Sequence, residues 1–291
     1  MPKKILITGA SGFLGYHLLR VAHQAGYEVY GIAHKGAIAF EHSTNLYIDL
    51  SNYIAMGDVL DQLEPDVVIH AAALADASQC QANPALSYTI NVEMAENIAG
   101  ICSDYMIPMV FTSTDLVFDG IHGNYKEDDT TNPLMTYGEH KAIAEQKVLN
   151  IHPKALVVRC PLMFGELEAS ERNYFYHFVK GLREGNKANL FTDEYRSIAS
   201  AYDIAGGIIQ LCEKVTGILH IAGRERISRY DFGILVTQVF SLDKGLLNAT
   251  TQSTMATPRP ADVSLNIDKA LSLGYTSIYC KDGLSNLMDS K

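Results

Sequence analysis

Two residues four positions apart, Tyr137 and Lys141, form the most chemically informative pair in the sequence. On a helix, residues at this spacing lie on one face, so the phenol and the ammonium would be neighbours. A tyrosine near its reference pKa of about 10 is a poor acid or base at neutral pH. A nearby ammonium favours the phenolate and lowers that pKa. The pair therefore predicts a proton-transfer site, with a surface tyrosine and lysine as the alternative interpretation.

A glycine-rich turn follows the first apolar segment of the chain. Its spacing is G-x-x-G-x-x-G, which suits a strand that turns sharply into a helix while its backbone approaches a pyrophosphate. The N-terminus of the following helix would then face the phosphates. A tight turn without a ligand is the alternative, but the position on the first strand favours dinucleotide binding. The expected contacts are Gly9, Ser11, Gly12, Phe13, Leu14 and Gly15.

The ends of the next strands bear on which dinucleotide binds. The second predicted strand ends in Ala33-His34-Lys35, without the carboxylate that NAD-preferring sites usually place there for the ribose 2′-hydroxyl. His34 and Lys35 could meet a 2′-phosphate or form a solvated loop, so NADPH is favoured only slightly over NADH. The third strand closes with Asp49 and Leu50, which are expected near the adenine. The fourth closes with Ala71, Ala72 and Ala73, which are expected near the ribose.

Strand-like and helix-like segments alternate through the first half of the chain. The predicted strands are 4–8, 28–33, 46–48, 67–71, 109–113 and 155–160, and the predicted helices are 13–24, 53–63, 85–104 and 137–150. Strands that are apolar on both faces and separated by crossover helices indicate a parallel sheet covered on both sides. We therefore predict a Rossmann-type, doubly wound α/β fold with a smaller, interleaved α/β substrate-binding domain.

The alternation loosens after Pro161. Helices at 174–184, 202–213 and 229–240 and a strand at 218–222 are predicted before an irregular tail containing Pro258 and Pro260. We assign residues 1–160, with part of 195–222, to the dinucleotide-binding domain. Residues 161–194 and 223–291 are assigned to the substrate-binding domain.

The composition of the 291 residues excludes several classes of protein. A formal net charge of −10 argues against a nucleic-acid or anionic-membrane surface. The five cysteines are scattered, which predicts buried thiols in a reducing compartment, and the histidines show no metal-ligand spacing. Met1 leads almost directly into a strand, and no apolar run approaches the roughly 20 residues that span a bilayer. We expect a cytoplasmic protein without a metal.

Thr114 closes the fifth predicted strand and would direct a hydroxyl toward a reacting oxygen. The carboxyl ends of parallel strands share one edge, where ligands bind in open α/β folds. Thr114, Tyr137 and Lys141 should therefore meet beside the dinucleotide as the catalytic residues of a nicotinamide-dependent redox site. Tyr137 and Lys141 would also contact the cofactor, Lys141 through the nicotinamide ribose hydroxyls.

These motifs resemble those of the extended short-chain dehydrogenase/reductase superfamily, and more narrowly its dTDP-4-dehydrorhamnose reductase group. The similarity spans nearly the whole chain and is most specific in Thr114–Gly120, in Tyr137-Gly138-x-x-Lys141 and in Arg259-Pro260-x-Asp262. The resemblance implies a Thr114/Tyr137/Lys141 triad that reduces a 4-keto sugar carried on a nucleotide diphosphate. It places the substrate beside Thr114, Asp115, Leu162 and Arg259.

Two positions depart from the pattern of that group. Where this chain has Leu116 and Leu162, members of the group usually have Tyr and Trp, respectively. This chain contains no Trp. The related sugar-nucleotide dehydratases have a Glu at the position of Leu116, which serves as the base for dehydration. Because this chain lacks that Glu, dehydration is not expected. The segment from Arg159 through Glu168 is also similar to the regulatory beta subunit of methionine adenosyltransferase. A dinucleotide-binding regulatory subunit is therefore the alternative function.

The second half of the chain supplies the cations that could hold a diphosphate. One or two of them could clamp it bidentately, but surface ion pairing is the favoured interpretation for each one singly, with Arg259 as the exception. The five are Arg159, Arg196, Arg224, Arg226 and Arg259. The expected partner is a small nucleotide sugar, and a homodimer is left open.

Overall fold

The computed structural model describes residues 1–167, 173–254 and 259–289. Within them the strands are β1 (Lys4–Thr8), β2 (Glu28–Ala33), β3 (Thr44–Tyr47), β4 (Val67–His70), β5 (Met109–Thr114), β6 (Leu156–Cys160), β7 (Met163–Phe164), β8 (Ala188–Phe191), β9 (Tyr195–Arg196), β10 (Ala199–Ser200), β11 (Gly217–His220), β12 (Ile227–Ser228) and β13 (Leu247–Thr250). Seven of these form a central parallel sheet in the order β11-β6-β5-β4-β1-β2-β3. The strand order reverses beside β1, which opens a crevice at its carboxyl end.

Helices cover both faces of this sheet. They are α1 (Phe13–Gln24), α2 (Tyr53–Leu63), α3 (Ala77–Ala82), α4 (Pro84–Tyr88), α5 (Met94–Asp104), α6 (Thr136–Ile151), α7 (Tyr174–Arg183), α8 (Ala201–Leu211), α9 (Arg229–Val239), α10 (Asp268–Ser272) and α11 (Cys280–Asp289). A π-helical turn, Thr89–Glu93, joins α4 to α5.

Alternate residues of the strands feed two separate hydrophobic cores. In β1, Ile5 and Ile7 pack with α1 and α8 on one face, whereas Leu6 packs with α2, α5 and α6 on the other. All three side chains are fully buried. Strands buried on both faces need apolar residues at every position, which is the pattern that the sequence shows. The predicted Rossmann-type, doubly wound fold is confirmed.

The smaller elements gather around a third hydrophobic core. It contains Phe164 of β7, Phe175 of α7 and Phe232 of α9, whose rings lie 5.6–6.3 Å apart. Three two-stranded pairings, β7 with β10, β8 with β13 and β9 with β12, surround it. The proposed domain boundaries stay a prediction. No helix of the described residues is long and apolar enough to cross a bilayer.

The tail predicted to be irregular contains two helices, α10 and α11, so that prediction is wrong. Cys280 and Leu284 of α11 are buried in the third core, with Leu287 packed against them. This i, i+4, i+7 spacing is helical, and tertiary packing stabilises a helix that Gly283 would weaken by itself. Of the two tail prolines, Pro258 lies outside the described residues.

The single helix predicted over 85–104 is also incomplete, because helical structure begins earlier, at Ala77. The side chain of Asp76 caps α3 by accepting hydrogen bonds from the amides of Ser78 and Gln79, at 2.8 and 2.9 Å. Such a cap starts a helix through a local side-chain contact, even where the sequence lacks an extended apolar stripe.

Contact between backbones holds the first turn of α6 against the segment that follows β5. A Cβ added to Gly138 would lie 2.1 Å from the carbonyl oxygen of Leu116 and 2.9 Å from its carbonyl carbon. Neither partner is a flexible side chain, so the contact requires glycine. It sets Tyr137, in the same turn of α6, beside Thr114 and Asp115 at the carboxyl end of β5.

We predict that Gly138→Ala destabilises the protein by about 1–3 kcal/mol, the usual cost of overpacking a site that cannot relax. Gly57→Ala in α2 is the matched control, because a Cβ there meets nothing within 4 Å. It should stabilise the protein by about 0.5–1 kcal/mol through helix propensity. Urea unfolding of both variants measures the difference, and equal stabilities would contradict the packing described here.

Candidate active site

The glycine turn after β1 brings three parts of the chain together. Gly9 has a φ of +70°, and a Cβ on it would lie 2.6 Å from the amide nitrogen of Ala72. A Cβ on Gly15 would lie 2.1 Å from the carbonyl oxygen of Gly9. Among the described residues no side chain caps the first turn of α1. The amides of this turn are therefore suited to a phosphate, as a dinucleotide site requires.

The segment Ala71–Ala73 leaves β4 directly beside this turn. The Thr8 hydroxyl lies 2.7 Å from Nδ1 of His70 and accepts a hydrogen bond from the amide of Ala72 at 3.3 Å. These contacts fix the segment at the crevice beside β1, where its small side chains leave room for a ligand. The assignment of Ala71, Ala72 and Ala73 to the ribose stays a prediction.

Cations and a carboxylate face each other at the ends of β2 and β3. Nε2 of His34 lies 3.7 Å from Oδ2 of Asp49, and both side chains are about half exposed. The amide and hydroxyl of Ser51 donate to Asp49, and together with His34 and Lys35 they lower its pKa. A carboxylate therefore lies beside the end of β2, although it comes from the segment after β3, and the assignment of Asp49 to the adenine stays a prediction. Leu50, by contrast, is buried in the core.

Lys141 is buried, with its ammonium nitrogen 3.9 Å from the centroid of the Phe111 ring. In the part of the chain that the structure describes, no carboxylate lies within ion-pairing distance of this nitrogen. Burial lowers the pKa of Lys141 to about 7, although the charge of Glu145, one turn further along α6, raises it. Desolvation therefore destabilises the ammonium form of Lys141, and the cation–π contact with the Phe111 ring compensates for this only in part.

Tyr137 keeps its proton at neutral pH. Burial raises the pKa of its phenol, and the neighbouring Asp115 raises it further. The expected lowering of this pKa by Lys141 is therefore not seen in the free protein. A protonated phenol is the state needed to donate a proton to a substrate oxygen.

Thr114 and Asp115 lie at the end of β5, next to Tyr137. The Thr114 hydroxyl donates to Oδ1 of Asp115 at 3.2 Å and accepts from the amide of Leu116 at 3.2 Å. Asp115 is 1% exposed, and one guanidinium nitrogen of Arg196 lies 2.8 and 2.9 Å from its two oxygens. The carboxylate predicted to contact the sugar is therefore already occupied by an arginine.

The two remaining predicted substrate residues lie in the second half of the chain. Nε of Arg259 donates to Glu194 at 3.1 Å, and the Arg259 side chain is 29% exposed. Leu162 is half-buried and packs against the third core. Their contact with a substrate stays a prediction.

Two arginines interpreted as surface ion pairs are buried, so that interpretation is wrong for them. Arg159 on β6 donates to Glu145 from Nε at 3.0 Å and from Nη2 at 2.8 Å. Arg196 pairs with Asp115, as described above. Arg159 is 2% and Arg196 5% exposed, so the charge of each must be matched inside the protein. Arg226 does lie at the surface, with Nε 2.5 Å from Oδ2 of Asp262.

Glu194 is a residue of this region that sequence reasoning did not select, whereas Arg196 was named as one of five cations that could hold a diphosphate. Glu194 is 1% exposed and faces Arg196, Arg229 and Arg259 at 3.5, 3.7 and 3.1 Å. Burial raises the pKa of Glu194, but the three guanidinium groups outweigh it and hold the pKa below its usual value. Two opposite charges within Glu194-Tyr195-Arg196 were the signal available in the sequence. Among the described residues no group of acidic, histidine or cysteine side chains could hold a metal.

A model of one protein family, the RmlD substrate binding domain, matches residues 3–290. The chain belongs to this family. It is 31% identical to the dTDP-4-dehydrorhamnose reductase of Aggregatibacter actinomycetemcomitans over 286 residues, covering 91% of each chain. It is 29% identical to the probable low-salt glycan biosynthesis reductase Agl14 of Haloferax volcanii over 97% of this chain and 96% of the relative. It is also 29% identical to the methionine adenosyltransferase 2 subunit beta of Xenopus laevis, over 94% and 83%.

Among solved structures, the dTDP-4-dehydrorhamnose reductase of Bacillus anthracis in complex with NADP aligns over 100% of both chains. The TM-score is 0.88 at 22% sequence identity, which shows a shared fold. The comparisons confirm the predicted family and its NAD(P)-dependent oxidoreductase class. The predicted nicotinamide cofactor, NADPH or NADH, agrees with the NADP in this neighbour.

Because the folded pKa of Lys141 is about 7 and its ordinary value is 10.5, the folded protein binds fewer protons than the unfolded chain between these pH values. Stability should therefore rise with pH across that window. We predict that Lys141→Met stabilises the free protein below pH 7 by about 1–4 kcal/mol. This gain should shrink as the pH rises toward 10.

Chemical unfolding at several pH values measures this effect. Lys147→Met is the control on the same helix, because Lys147 is partly exposed and its ammonium pairs with Glu96 at 2.5 Å. The control should show no gain. A gain for Lys141→Met that does not vary with pH would contradict a buried ammonium.

Proposed function

We propose that the protein is an NAD(P)H-dependent reductase of a 4-keto sugar nucleotide, with Tyr137 as the proton donor. The observation that carries this proposal is a protonated Tyr137 and a buried Lys141 at the sheet edge that also holds the glycine turn. Membership of the RmlD family supports it, as does 31% identity to a dTDP-4-dehydrorhamnose reductase.

The residues present fit a dinucleotide. Backbone contacts at Gly9 and Gly15 leave the first turn of α1 open, and Lys141 lies one helical turn from Tyr137. The glycine turn would hold the pyrophosphate, and Lys141 would hold the nicotinamide ribose. When bound, NADPH or NADH supplies the hydride. The proton and the groups that position the substrate carbonyl come from side chains of the protein.

In the proposed reaction, the Tyr137 phenol donates its proton to the carbonyl oxygen as that oxygen gains negative charge. Lys141 stabilises the resulting phenolate, because an ammonium favours the charged form of a nearby phenol. Thr114 donates a hydrogen bond that positions the same oxygen. Arg259, already oriented by Glu194, would face the diphosphate of the substrate, and Leu162 the sugar.

The identity of the sugar depends on two leucines. Leu116 and Leu162 replace the aromatic residues that are usual in the dTDP-4-dehydrorhamnose reductase group. The leucine side chains provide no aromatic face for a pyranose ring. The similarity to a dTDP-4-dehydrorhamnose reductase supports a 4-keto-6-deoxy sugar nucleotide as the substrate class, tested first with dTDP-4-keto-6-deoxy-L-mannose.

A regulatory role is the second candidate, because the chain is as similar to a methionine adenosyltransferase 2 subunit beta as to the reductase Agl14. A regulatory subunit would bind the dinucleotide without oxidising it and would form a complex with a second enzyme. The placement of Tyr137 and the buried Lys141 on one face of α6, packed against the segment after Thr114, favours the reductase.

We predict that Tyr137→Phe lowers the rate of NADPH oxidation with dTDP-4-keto-6-deoxy-L-mannose at least about 100-fold, the range typical of losing a general acid. The KM should change little, because the phenol acts mainly in the transition state. Tyr202→Phe on α8 is the control, since Tyr202 is exposed and its hydroxyl donates to Gln24. Turnover by Tyr137→Phe within a few-fold of wild type would rule out the proposed role.

The facing charges at the ends of β2 and β3 predict that cofactor preference can be moved in either direction. Lys35→Ala should raise the Kd for NADPH about tenfold and leave that for NADH unchanged, the size expected for one charged hydrogen bond. Asp49→Ala should instead weaken NADH and spare NADPH. Fluorescence titration gives the four Kd values, and parallel changes for both cofactors would contradict this placement of the 2′-position.

A further inference from the structure

A buried chain of charges connects the second half of the protein to the end of β5. It runs from Arg259 and Arg229 through Glu194 to Arg196, and from Arg196 to Asp115. The last contact, from Asp115 to the Thr114 hydroxyl, reaches the catalytic residues. Arg196 is therefore separated from a reacting group by a single carboxylate.

The distances within this chain show which partner holds Asp115. Arg196 lies 2.8 and 2.9 Å from the two carboxylate oxygens, the range typical of charge-assisted N–H···O bonds. The Thr114 hydroxyl lies 3.2 Å from Oδ1, whereas a hydroxyl that binds a carboxylate strongly approaches to about 2.5–2.7 Å. Asp115 is therefore bound tightly by Arg196 and only weakly by Thr114.

Thr114 has one proton to donate, because a hydroxyl is a single donor. Its oxygen already accepts from the amide of Leu116, which fixes the position of the oxygen. The proton has two possible acceptors in the proposed reaction, the Asp115 carboxylate and the substrate carbonyl. Burial raises the pKa of Asp115, and Arg196 opposes that shift. An ionised Asp115 without Arg196 would compete with the substrate oxygen for the Thr114 proton.

We propose that Arg196 is a positioning residue that frees the Thr114 hydroxyl for the substrate, by satisfying both oxygens of Asp115. This inference rests on the proposed reductase function. Glu194 contributes by holding Arg196 on the side away from Asp115. Arg196 and Glu194, in the second half of the chain, thereby determine whether the Thr114 hydroxyl donates to Asp115 or to the substrate.

The first test is a kinetic series with dTDP-4-keto-6-deoxy-L-mannose and NADPH. Arg196→Met should lower kcat about 10- to 100-fold, approaching the effect of removing one donor from a reacting oxygen. The KM for NADPH should stay within about twofold, because the glycine turn is untouched. Arg196→Lys keeps one cation and should lose less, and it carries the test if Arg196→Met does not fold.

Removal of the second charge separates positioning from a structural role. In the double variant Asp115→Asn/Arg196→Met, a neutral amide replaces the carboxylate that would capture the Thr114 proton. Its kcat should recover to within about fivefold of wild type. Arg183→Met, which removes an exposed arginine from α7, is the control and should match wild type. An unchanged kcat in Arg196→Met, or a double variant no faster than it, would overturn the proposal.

The second readout does not require turnover. In crystal structures of the NADPH complexes, the distance from Thr114 Oγ1 to Asp115 Oδ1 should contract from 3.2 Å in wild type to about 2.6 Å in Arg196→Met. A distance unchanged in the variant would overturn the proposal, whether or not any sugar is reduced. Contraction without turnover by the wild type would refute only the proposed substrate.

Discussion

Close contact between backbones at the carboxyl edge of the central sheet is the constraint on which the rest of this site depends. Gly15 packs on the Gly9 carbonyl, and Gly138 packs on the Leu116 carbonyl, each without room for a Cβ. The first contact sets α1 against the turn after β1, and the second sets α6 against the segment after β5. The N-terminal end of α1 and the helix that carries Tyr137 and Lys141 are thereby held at one edge.

The buried charges give this edge its chemical character. Lys141 lies on the Phe111 ring without a carboxylate partner among the described residues, which is costly for the free protein. Asp115 and Arg196 satisfy each other, so the carboxylate nearest Tyr137 does not depend on a substrate for its partner. A destabilising residue such as the buried Lys141 is common at functional sites, where activity is retained at the expense of stability.

Sequence reasoning was strongest where chemistry and structure are local. The glycine spacing lies within one turn, and Tyr137 and Lys141 lie within one helix, so their positions follow from the period of the elements. Buried strands such as β1 show themselves by continuous apolar residues. Glu194 was missed, and Arg196 was expected in a surface ion pair, because their partners, Arg259 and Asp115, lie 65 and 81 residues away. Only the fold brings such residues together, and the same holds for α11, which is stabilised by the third core.

We propose that this edge of the sheet positions a nicotinamide cofactor and Tyr137 to transfer a hydride and a proton to a sugar carbonyl. The most direct measurement traces the transfer of deuterium from the cofactor to the sugar, instead of measuring a reaction rate. The protein is incubated with dTDP-4-keto-6-deoxy-L-mannose and NADPH that carries deuterium at both C4 positions of the nicotinamide, and the product is analysed by NMR and mass spectrometry. We expect deuterium bound to C4 of the sugar. A protein that binds NADPH and NADH but transfers no deuterium would contradict this proposal.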